Sequence, residues 1–261
     1  MYKVGWCSEL QHVDDLAESG YDFIECALVS LCLEDREAHR QLLPRYRDRV
    51  IPTAAFNCFF PGDLKVVGPS VDKERMKQYV ARAAEALESV GAKIAVLGSG
   101  GARQIPVGWE YGRAQEQFLE LLALISSRFK GTGITLAIEP LNQKECNFIN
   151  RVGEAAEFAQ LVNQPEIRVL ADFYHMQEDE EPLDTLEQHK EWLAHIHLAD
   201  SGRNSPGTGA YPYTEFVEQL RRCNYEGFIS VECKSTDLKV ELQQSRGYIA
   251  KLFNNGMERR V

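Results

Sequence analysis

The sequence predicts an α/β fold, a closed (β/α)8 TIM barrel of parallel strands, and two observations lead to this prediction. Eight short apolar runs recur along the chain, and most are followed by a stretch with the periodicity of an amphipathic helix. Strands that alternate with helices pair in parallel, because each helix carries the chain back across the sheet. Eight such units need about 250 residues, and the chain has 261. We therefore expect residues 1–261 to form a single barrel domain.

The eight apolar runs are the expected strands. In chain order they are YKVGWC (2–7), YDFIECA (21–27), VIPTAAF (50–56), AKIAVLG (92–98), ITLAIEP (134–140), IRVLADF (167–173), LAHIHLAD (193–200) and GFISVEC (227–233). An open, doubly wound sheet is the alternative, and its dinucleotide-binding turn would read G-x-G-x-x-G after the first strand. This chain has GWCSEL at that place, which favours the barrel.

The helices between these strands are predicted from apolar residues that recur at steps of three and four. The clearest helix is expected at 73–90, and others are expected at 114–130, 152–162 and 214–223. The polar run QEDEEP (177–182) has no such pattern and is expected to be a solvated loop.

Composition limits the classes of function that the chain can have. The net charge is −10, from 29 Lys and Arg against 39 Asp and Glu, which opposes broad nucleic-acid binding. No apolar run approaches the ~18 residues that a membrane span needs, and the N-terminal residues do not have the layout of a signal peptide. The seven cysteines form no C-x-x-C pair. We expect a cytoplasmic protein whose thiols are reduced and mostly buried.

Residues of the types that bind metals stand at the ends of the last four strands. Glu139 ends the fifth strand, Asp172 the sixth and Glu232 the eighth, and His197 lies near the end of the seventh. The C-terminal ends of all barrel strands open at one mouth, so these side chains should converge there. Carboxylates buried together repel each other unless they are paired or bind a cation. Three oxygen ligands and one nitrogen ligand suit one divalent ion, such as Mn²⁺, Mg²⁺, Co²⁺ or Zn²⁺.

Four more side chains at or near the expected mouth have two open interpretations each. His195 shares the face of His197 but lies deeper, as a group behind the ligands or as a packed histidine. Glu25 ends the second strand, as a hydrogen-bonding group at the mouth or as a salt-bridged acid. Trp6 and Trp109 could each form an apolar wall against a ligand or pack in the core.

The strand-end motifs resemble the xylose isomerase-like barrel superfamily. They are EPLN with Glu139, D-x-x-H with Asp172 and His175, HIHLAD with His197, and VE with Glu232. Within the superfamily the pattern is similar to sugar-phosphate isomerases/epimerases and to ketose 3-epimerases of the D-tagatose 3-epimerase type. The resemblance covers essentially the whole chain.

This resemblance implies roles for individual residues. It implies that Glu139 and Glu232 are the two catalytic carboxylates, on opposite faces of a bound sugar, as well as metal ligands. It also implies substrate contacts for Glu145, six residues after Glu139, for His175, and for Arg203, six residues after His197. The resemblance also implies that all four metal ligands of the family are present in this chain, as Glu139, Asp172, His197 and Glu232.

The expected reaction follows from these roles. A metal-stabilised enediolate forms when one glutamate removes the proton beside a carbonyl group. Return of the proton to the opposite face inverts the centre, and return to the neighbouring carbon interconverts aldose and ketose. We expect a divalent-metal-dependent isomerase or epimerase whose partner is a small-molecule sugar, ketose or sugar phosphate, without nucleic acid or membrane. The resemblance allows a homo-oligomer.

Other functions remain open from the sequence alone. An inosose dehydratase-type lyase and a hydroxypyruvate isomerase belong to the same family. An endonuclease IV-like repair nuclease shares the barrel, but such enzymes use several zinc ions and many histidines, and this chain has six. A metal-binding barrel without turnover is the third class. The segment GSGGAR (98–103) could cradle a phosphate with its amides and Arg103 facing the mouth, or it could simply be a tight loop.

Overall fold

The computed structural model describes residues 2–254, and eight parallel strands close into a barrel in chain order. Each strand pairs with its sequence neighbours, and the first pairs with the last to close the barrel. This arrangement confirms the predicted (β/α)8 fold. The strands are β1 Lys3–Cys7, β2 Phe23–Ala27, β3 Thr53–Asn57, β4 Ile94–Leu97, β5 Thr135–Ile138, β6 Ile167–Asp172, β7 Leu193–Leu198 and β8 Phe228–Val231.

Helices surround the barrel and follow the strands. They are α1 Val13–Glu18, α2 Arg36–Leu42, α3 Lys73–Val90, α4 Gly100–Arg103, α5 Tyr111–Phe129, α6 Val152–Val162, α7 Phe173–Glu178, α8 Thr185–Gln188, α9 Tyr213–Arg222 and α10 Leu238–Asn254. The bounds of α3 and α6 match the prediction. Helix α5 begins three residues before the predicted start at 114 (114 − 111 = 3), because its first turn, YGR, carries no core-facing apolar repeat. None of the helices described is both long and apolar enough to cross a membrane.

The interior of the barrel has an apolar floor. Phe23, Ile94 and Leu170 belong to a buried cluster inside the strands, and Phe228 packs against it. The rings of Phe23 and Phe228 meet edge to face at 5.1 Å between centroids. Gly5 makes room for this packing, because a Cβ atom at that position would collide with the Phe23 ring. The ammonium group of Lys3 lies over the Phe228 ring, 5.4 Å from its centroid, and these packed rings close the N-terminal end of the barrel.

Polar side chains take over from this floor toward the C-terminal ends of the strands. Side chains alternate between the two faces of a strand, so a residue two positions after a floor residue also points inward. This step of two leads from the apolar floor to a layer of buried or half-buried polar groups at the mouth. The pairs are Phe23 with Glu25, Ala55 with Asn57, Ala137 with Glu139, and Leu170 with Asp172, and on β8 the floor residue Phe228 is followed at the same step by Ser230 and then Glu232.

Three sequence expectations about burial were wrong or are now decided. Only Cys26 and Cys146 of the seven free thiols are buried, so the expectation of mostly buried cysteines was wrong. Trp6 is 1% exposed and packs edge to face on Tyr21, which makes it a core residue and not a ligand wall. Trp109 is half-buried, packs against the core and lies beneath the guanidinium group of Arg113, so it is also a packing residue.

The run QEDEEP is not the solvated loop that its composition predicts. Helix α7 includes its first two residues, and the Glu181 side chain is buried. Both carboxylate oxygens of Glu181 accept hydrogen bonds from the Val152 backbone N–H, at 3.0 and 3.3 Å, at the start of α6. Burial raises the pKa of Glu181 to about 7, although the Val152 N–H and the nearby Arg151 charge oppose the shift.

The raised pKa of Glu181 makes a pH-dependent contribution to stability. In the unfolded chain Glu181 has an ordinary glutamate pKa of 4.5 and releases its proton above about pH 4.5. In the folded protein Glu181 keeps this proton up to about pH 7. The free energy of unfolding should therefore fall as pH rises through this window. Glu181→Gln stays uncharged and keeps an oxygen to accept from Val152.

We expect the wild type to lose about 1–3 kcal/mol more stability than Glu181→Gln between pH 5 and 8. Urea unfolding of both proteins at each pH measures this difference, and the exposed neighbour Glu180 provides the control variant Glu180→Gln. Parallel pH profiles for the wild type and Glu181→Gln would show that Glu181 is already ionised in the folded protein at pH 5.

Candidate metal centre and active site

The four predicted ligand residues converge at the barrel mouth. Glu139, Asp172, His197 and Glu232 each offer one ligand atom, and these four atoms lie within 4.8 Å of one another. His197 Nδ1 is at the centre, 3.2 Å from Glu139 Oε1, 3.9 Å from Asp172 Oδ2 and 3.8 Å from Glu232 Oε2. These distances are those of a site that could hold one cation.

The backbone fixes two of the carboxylates. Glu139 follows β5 directly, and its N–H donates to the Leu97 carbonyl at 3.2 Å, so the strand pairing extends to it. Asp172 is the last residue of β6 and caps helix α7. Its Oδ1 accepts from the N–H groups of Tyr174 (2.7 Å) and His175 (3.3 Å), which satisfies helix-end donors. Asp172 Oδ2 is thereby left facing the cluster.

A buried carboxylate behind the cluster orients His197. Glu25 Oε1 lies 3.0 Å from His197 Nε2, and Glu25 Oε2 lies 2.8 Å from His195 Nε2. The Ser230 hydroxyl donates to Glu25 Oε2 at 2.5 Å. With Nε2 directed at a carboxylate, His197 presents Nδ1 to the four-residue cluster. Both earlier interpretations of Glu25 therefore hold, and His195 lies behind the ligands, beside Glu25.

Charge shifts the pKa values of these buried groups in opposite directions. Burial would lower the pKa of His197, but the charges of Glu25 and Glu232 outweigh it and raise that pKa well above its usual value. Burial raises the pKa of Glu139, with a further contribution from Glu232 against the opposing effect of His197. The pKa of Glu232 is lowered, because His197 and Arg203 outweigh the burial of its carboxyl group.

The unpaired atoms of the cluster fit a divalent cation. Glu139 Oε1 and His197 Nδ1 are buried and make no hydrogen bond, although only 3.2 Å separates them. Buried polar atoms normally have a partner, and a cation between them would supply one for both. Three carboxylates and one imidazole are a donor set suited to such an ion. Glu139, Asp172, His197 and Glu232 would hold it.

His175 and Glu145 lie beside the cluster and are joined by Asn142. The Asn142 backbone N–H donates to His175 Nδ1 at 3.1 Å, which leaves the ring proton on Nε2. His175 Nε2 is buried without a hydrogen-bond partner, 3.7 Å from Asp172 Oδ2. The Asn142 side chain donates to Glu145 Oε1 at 3.1 Å. His175 can therefore donate a hydrogen bond to a ligand in the mouth.

Arg203 closes one side of the mouth. Its Nη2 donates to Glu232 Oε2 at 2.6 Å and its Nη1 lies 3.2 Å from both oxygens of Glu145. The guanidinium also stacks on Tyr174, 5.0 Å from the ring centroid. The loop that carries Arg203 is tied to Asp200, whose carboxylate accepts from the backbone N–H groups at 207 and 211. The structure therefore brings all three predicted substrate residues to the mouth.

Asn57 is a site residue that the sequence did not reveal. It ends β3, and its Nδ2 donates to Glu232 Oε1 at 2.8 Å. Both oxygens of Glu232 are therefore held, one by Asn57 and the other by Arg203. Asn57 lies two positions after the floor residue Ala55, so the sequence could have indicated that its side chain points into the barrel. A single amide at a strand end is too common to identify a site.

The segment GSGGAR does not present Arg103 to the mouth, so that expectation was wrong. The Arg103 side chain is fully buried, and it donates to the carbonyl oxygens of Leu97 (3.2 Å) and Ile149 (3.3 Å). The glycine at the start of the segment has a steric reason. A Cβ atom on Gly98 would collide with Glu139 Oε2, so Gly98 makes room for the carboxylate.

The chain belongs to the xylose isomerase-like TIM barrel family, whose model matches residues 13–252. This match agrees with the closed barrel and with the resemblance of the strand-end motifs. The family model covers most of the chain, from the segment after β1 to the last helix.

Two curated relatives to which the chain is similar are named as epimerases. It is 32% identical to the 3-dehydro-D-guloside 4-epimerase of Escherichia coli K12 over 115 residues, 44% of this chain and 43% of the relative. It is 24% identical to the ketose 3-epimerase of Arthrobacter globiformis over 233 residues, 87% of this chain and 78% of the relative. The chain thus aligns with less than half the length of the first relative.

A solved structure supports the fold. The D-psicose 3-epimerase of Clostridium cellulolyticum H10, crystallised with D-tagatose, superposes with a TM-score of 0.83 at 18% identity. The superposition covers 96% of this chain and 99% of that one.

Glu25 should control cation binding through His197. The substitution Glu25→Gln removes the negative charge that faces His197 Nε2. The imidazole ring is then held less firmly with Nδ1 toward the other three ligands. We expect Mn²⁺ affinity, measured by calorimetric titration, to fall about 10- to 100-fold. Glu34→Gln, which removes a surface carboxylate paired with Arg75, is the control. Unchanged affinity in a Glu25→Gln protein that melts at the wild-type temperature without metal would contradict this role.

Gly98 should be sensitive to the smallest substitution. Gly98→Ala places a methyl group against Glu139 and must displace the carboxylate. We expect weaker Mn²⁺ binding by calorimetry, whereas Gly112→Ala, in open space within α5, should bind Mn²⁺ normally. Equal affinities for the two variants would mean that Glu139 can move without loss of the site.

Proposed function

We propose that the protein is a divalent-metal-dependent isomerase or epimerase of a small sugar, ketose or sugar phosphate. The observation that carries the proposal is the cluster of four ligand atoms within 4.8 Å, two of them from the glutamates at the mouth. The epimerase names of the relatives agree with it. We take residues 1–261 as one catalytic domain, with Mn²⁺ as the first choice of ion.

Glu139 and Glu232 are proposed as the acid and base of the reaction. One carboxylate removes the proton from the carbon beside the carbonyl group, and the other delivers a proton to the opposite face. Asn57 and Arg203 hold the two oxygens of Glu232, which restricts the direction from which that carboxylate can act. A bound divalent ion would supply stabilisation of the negative charge that develops on the substrate oxygen.

Three further side chains are proposed to orient the sugar. His175 Nε2 carries a proton without a partner and would donate it to a substrate hydroxyl or carbonyl oxygen. Arg203 and Glu145 already pair with each other at 3.2 Å. They offer a sugar one strong donor and one strong acceptor along the same side of the mouth. Such positioning raises the effective concentration of the reacting groups.

We also propose that the protein works in a reducing compartment, the cytoplasm, as its sequence led us to expect. All seven cysteines are free thiols, and two of them are exposed. Exposed free thiols are more compatible with a reducing environment than with secretion.

Solvent-deuterium incorporation tests the proposed chemistry without knowledge of the natural substrate. The Mn²⁺-loaded protein is incubated in D₂O with a panel of ketoses, aldoses and their phosphates, and the carbon-bound deuterium is measured by NMR. We expect incorporation beside the carbonyl group of at least one sugar, and its loss after the metal is removed with a chelator. The position of the label distinguishes epimerisation from aldose–ketose isomerisation.

Variants test the two carboxylates. We expect Glu139→Gln and Glu232→Gln each to slow incorporation by about 10²–10⁴-fold. The control Glu218→Gln, on the surface of α9, should keep the wild-type rate. Incorporation that survives both substitutions would exclude these residues as acid and base, and no incorporation into any sugar would contradict the proposed activity.

A further inference from the structure

The mouth continues into a cavity on the side of β1, β2 and β3. The cavity has a volume of about 510 Å³, within the range of roughly 300–1,000 Å³ that holds drug-sized ligands. Asn57 is one of its lining residues and donates to Glu232. The lining residue Cys7 has its sulfur within 4.8 Å of ligand atoms of Glu25 and His197. The cavity therefore adjoins the four-residue cluster through Asn57.

A guanidinium group without a carboxylate partner lines the cavity away from the cluster. Arg45 is exposed, and within residues 2–254 its side chain makes no ion pair or hydrogen bond. The side chain of Arg49 folds back onto the Arg45 carbonyl oxygen. With Arg47, the segment 44–50 (PRYRDRV) holds three arginines and one aspartate. This local excess of positive charge occurs in a chain whose net charge is −10.

We propose that Arg45 in this cavity binds an anionic group of the substrate. This group would lie at the end of the sugar that is remote from the reacting carbons. The proposal rests on the proposed function and names a substrate class for it, a sugar phosphate or a sugar carboxylate. Both present oxygens that a guanidinium can bind through two parallel hydrogen bonds.

The charges around the cavity determine how such a substrate is oriented. Glu25 and Glu232 lie behind the lining residues Cys7 and Asn57, and their negative charges disfavour an anionic group at that end of the cavity. Glu9 also lines the cavity, but its carboxylate accepts from Gln11 at 2.8 Å and belongs to the segment after β1. Arg45, in the segment between α2 and β3, is the cation among the lining residues. The anionic group should thus bind on the wall formed by that segment.

This location differs from the GSGGAR segment, for which the sequence left open a phosphate cradle or a tight loop. Arg103 of the GSGGAR segment is buried and bonded to backbone carbonyls, so it cannot bind a substrate anion. Arg45 has its guanidinium free and borders the cavity. Nearby arginines at 47 and 49 add a positive field that would raise the encounter rate with anionic sugars at low salt.

Binding of unreactive analogues tests this inference without turnover. The Mn²⁺-loaded protein is titrated calorimetrically with a five- or six-carbon polyol, with its terminal phosphate monoester and with the corresponding aldonate. We expect at least one anionic analogue to bind about 10- to 100-fold more tightly than the neutral polyol. The arm with the larger gain distinguishes phosphate from carboxylate.

Arg45→Gln should abolish this gain, whereas the control Arg47→Gln, which changes the net charge equally outside the cavity lining, should retain most of it. Equal affinity of the wild type for neutral and anionic analogues would overturn the inference, and so would an equal loss in both variants, which would indicate only a long-range field.

Failure of this inference can be told apart from failure of the proposed function. Neutral ketoses that incorporate deuterium, together with no preference for anionic analogues, would leave the epimerase or isomerase activity intact and remove only the role of Arg45. Tight binding of an anionic analogue without deuterium incorporation into any sugar would support the anion site and contradict the activity.

Discussion

The repulsion among buried acids at the barrel mouth is the constraint on which the rest of the site depends. Glu25, Glu139 and Asp172 are almost fully buried, and Glu232 is close by. His197 lies between them, with one ring nitrogen toward Glu25 and the other toward the remaining three. Positive charge at Nδ1, as a proton or as a cation in its place, compensates the cluster. Arg203, at 2.6 Å from Glu232, supplies a second positive charge at the outer edge.

The sequence was sufficient for those features that depend on one strand at a time. Strand–helix alternation predicted the barrel, and a ligand-type residue at each of four strand ends predicted the convergence of Glu139, Asp172, His197 and Glu232. Closure of the barrel alone brings strand ends together, whatever the details of packing. The inward step of two along each strand explains why these residues, and not their neighbours, meet at the mouth.

Features that depend on pairing across the barrel could not be predicted. Glu25 and His195 are joined at 2.8 Å although 170 positions separate them, and nothing local in either strand indicates the contact. Charged residues were also misjudged where tertiary packing buries them. Arg103 and Glu181 stand in sequence stretches with the composition of loops, but both side chains are buried. Arg103 donates hydrogen bonds to backbone carbonyls, and Glu181 accepts from a backbone N–H group. Whether a charged side chain can be buried depends on the groups that bond to it, and here those groups include residues distant in the chain.

The aromatic plug at the N-terminal end of the barrel gives the active centre a single doorway. Phe23 and Phe228 close the far end, so any ion, ligand or water that reaches the four ligand residues must pass the rim at the C-terminal ends of the strands. A sugar bound over the four ligand residues, as proposed above, would cover the position of the ion. If the proposed function holds, the ion would have to bind before the sugar, and it could not leave while a sugar is bound above it.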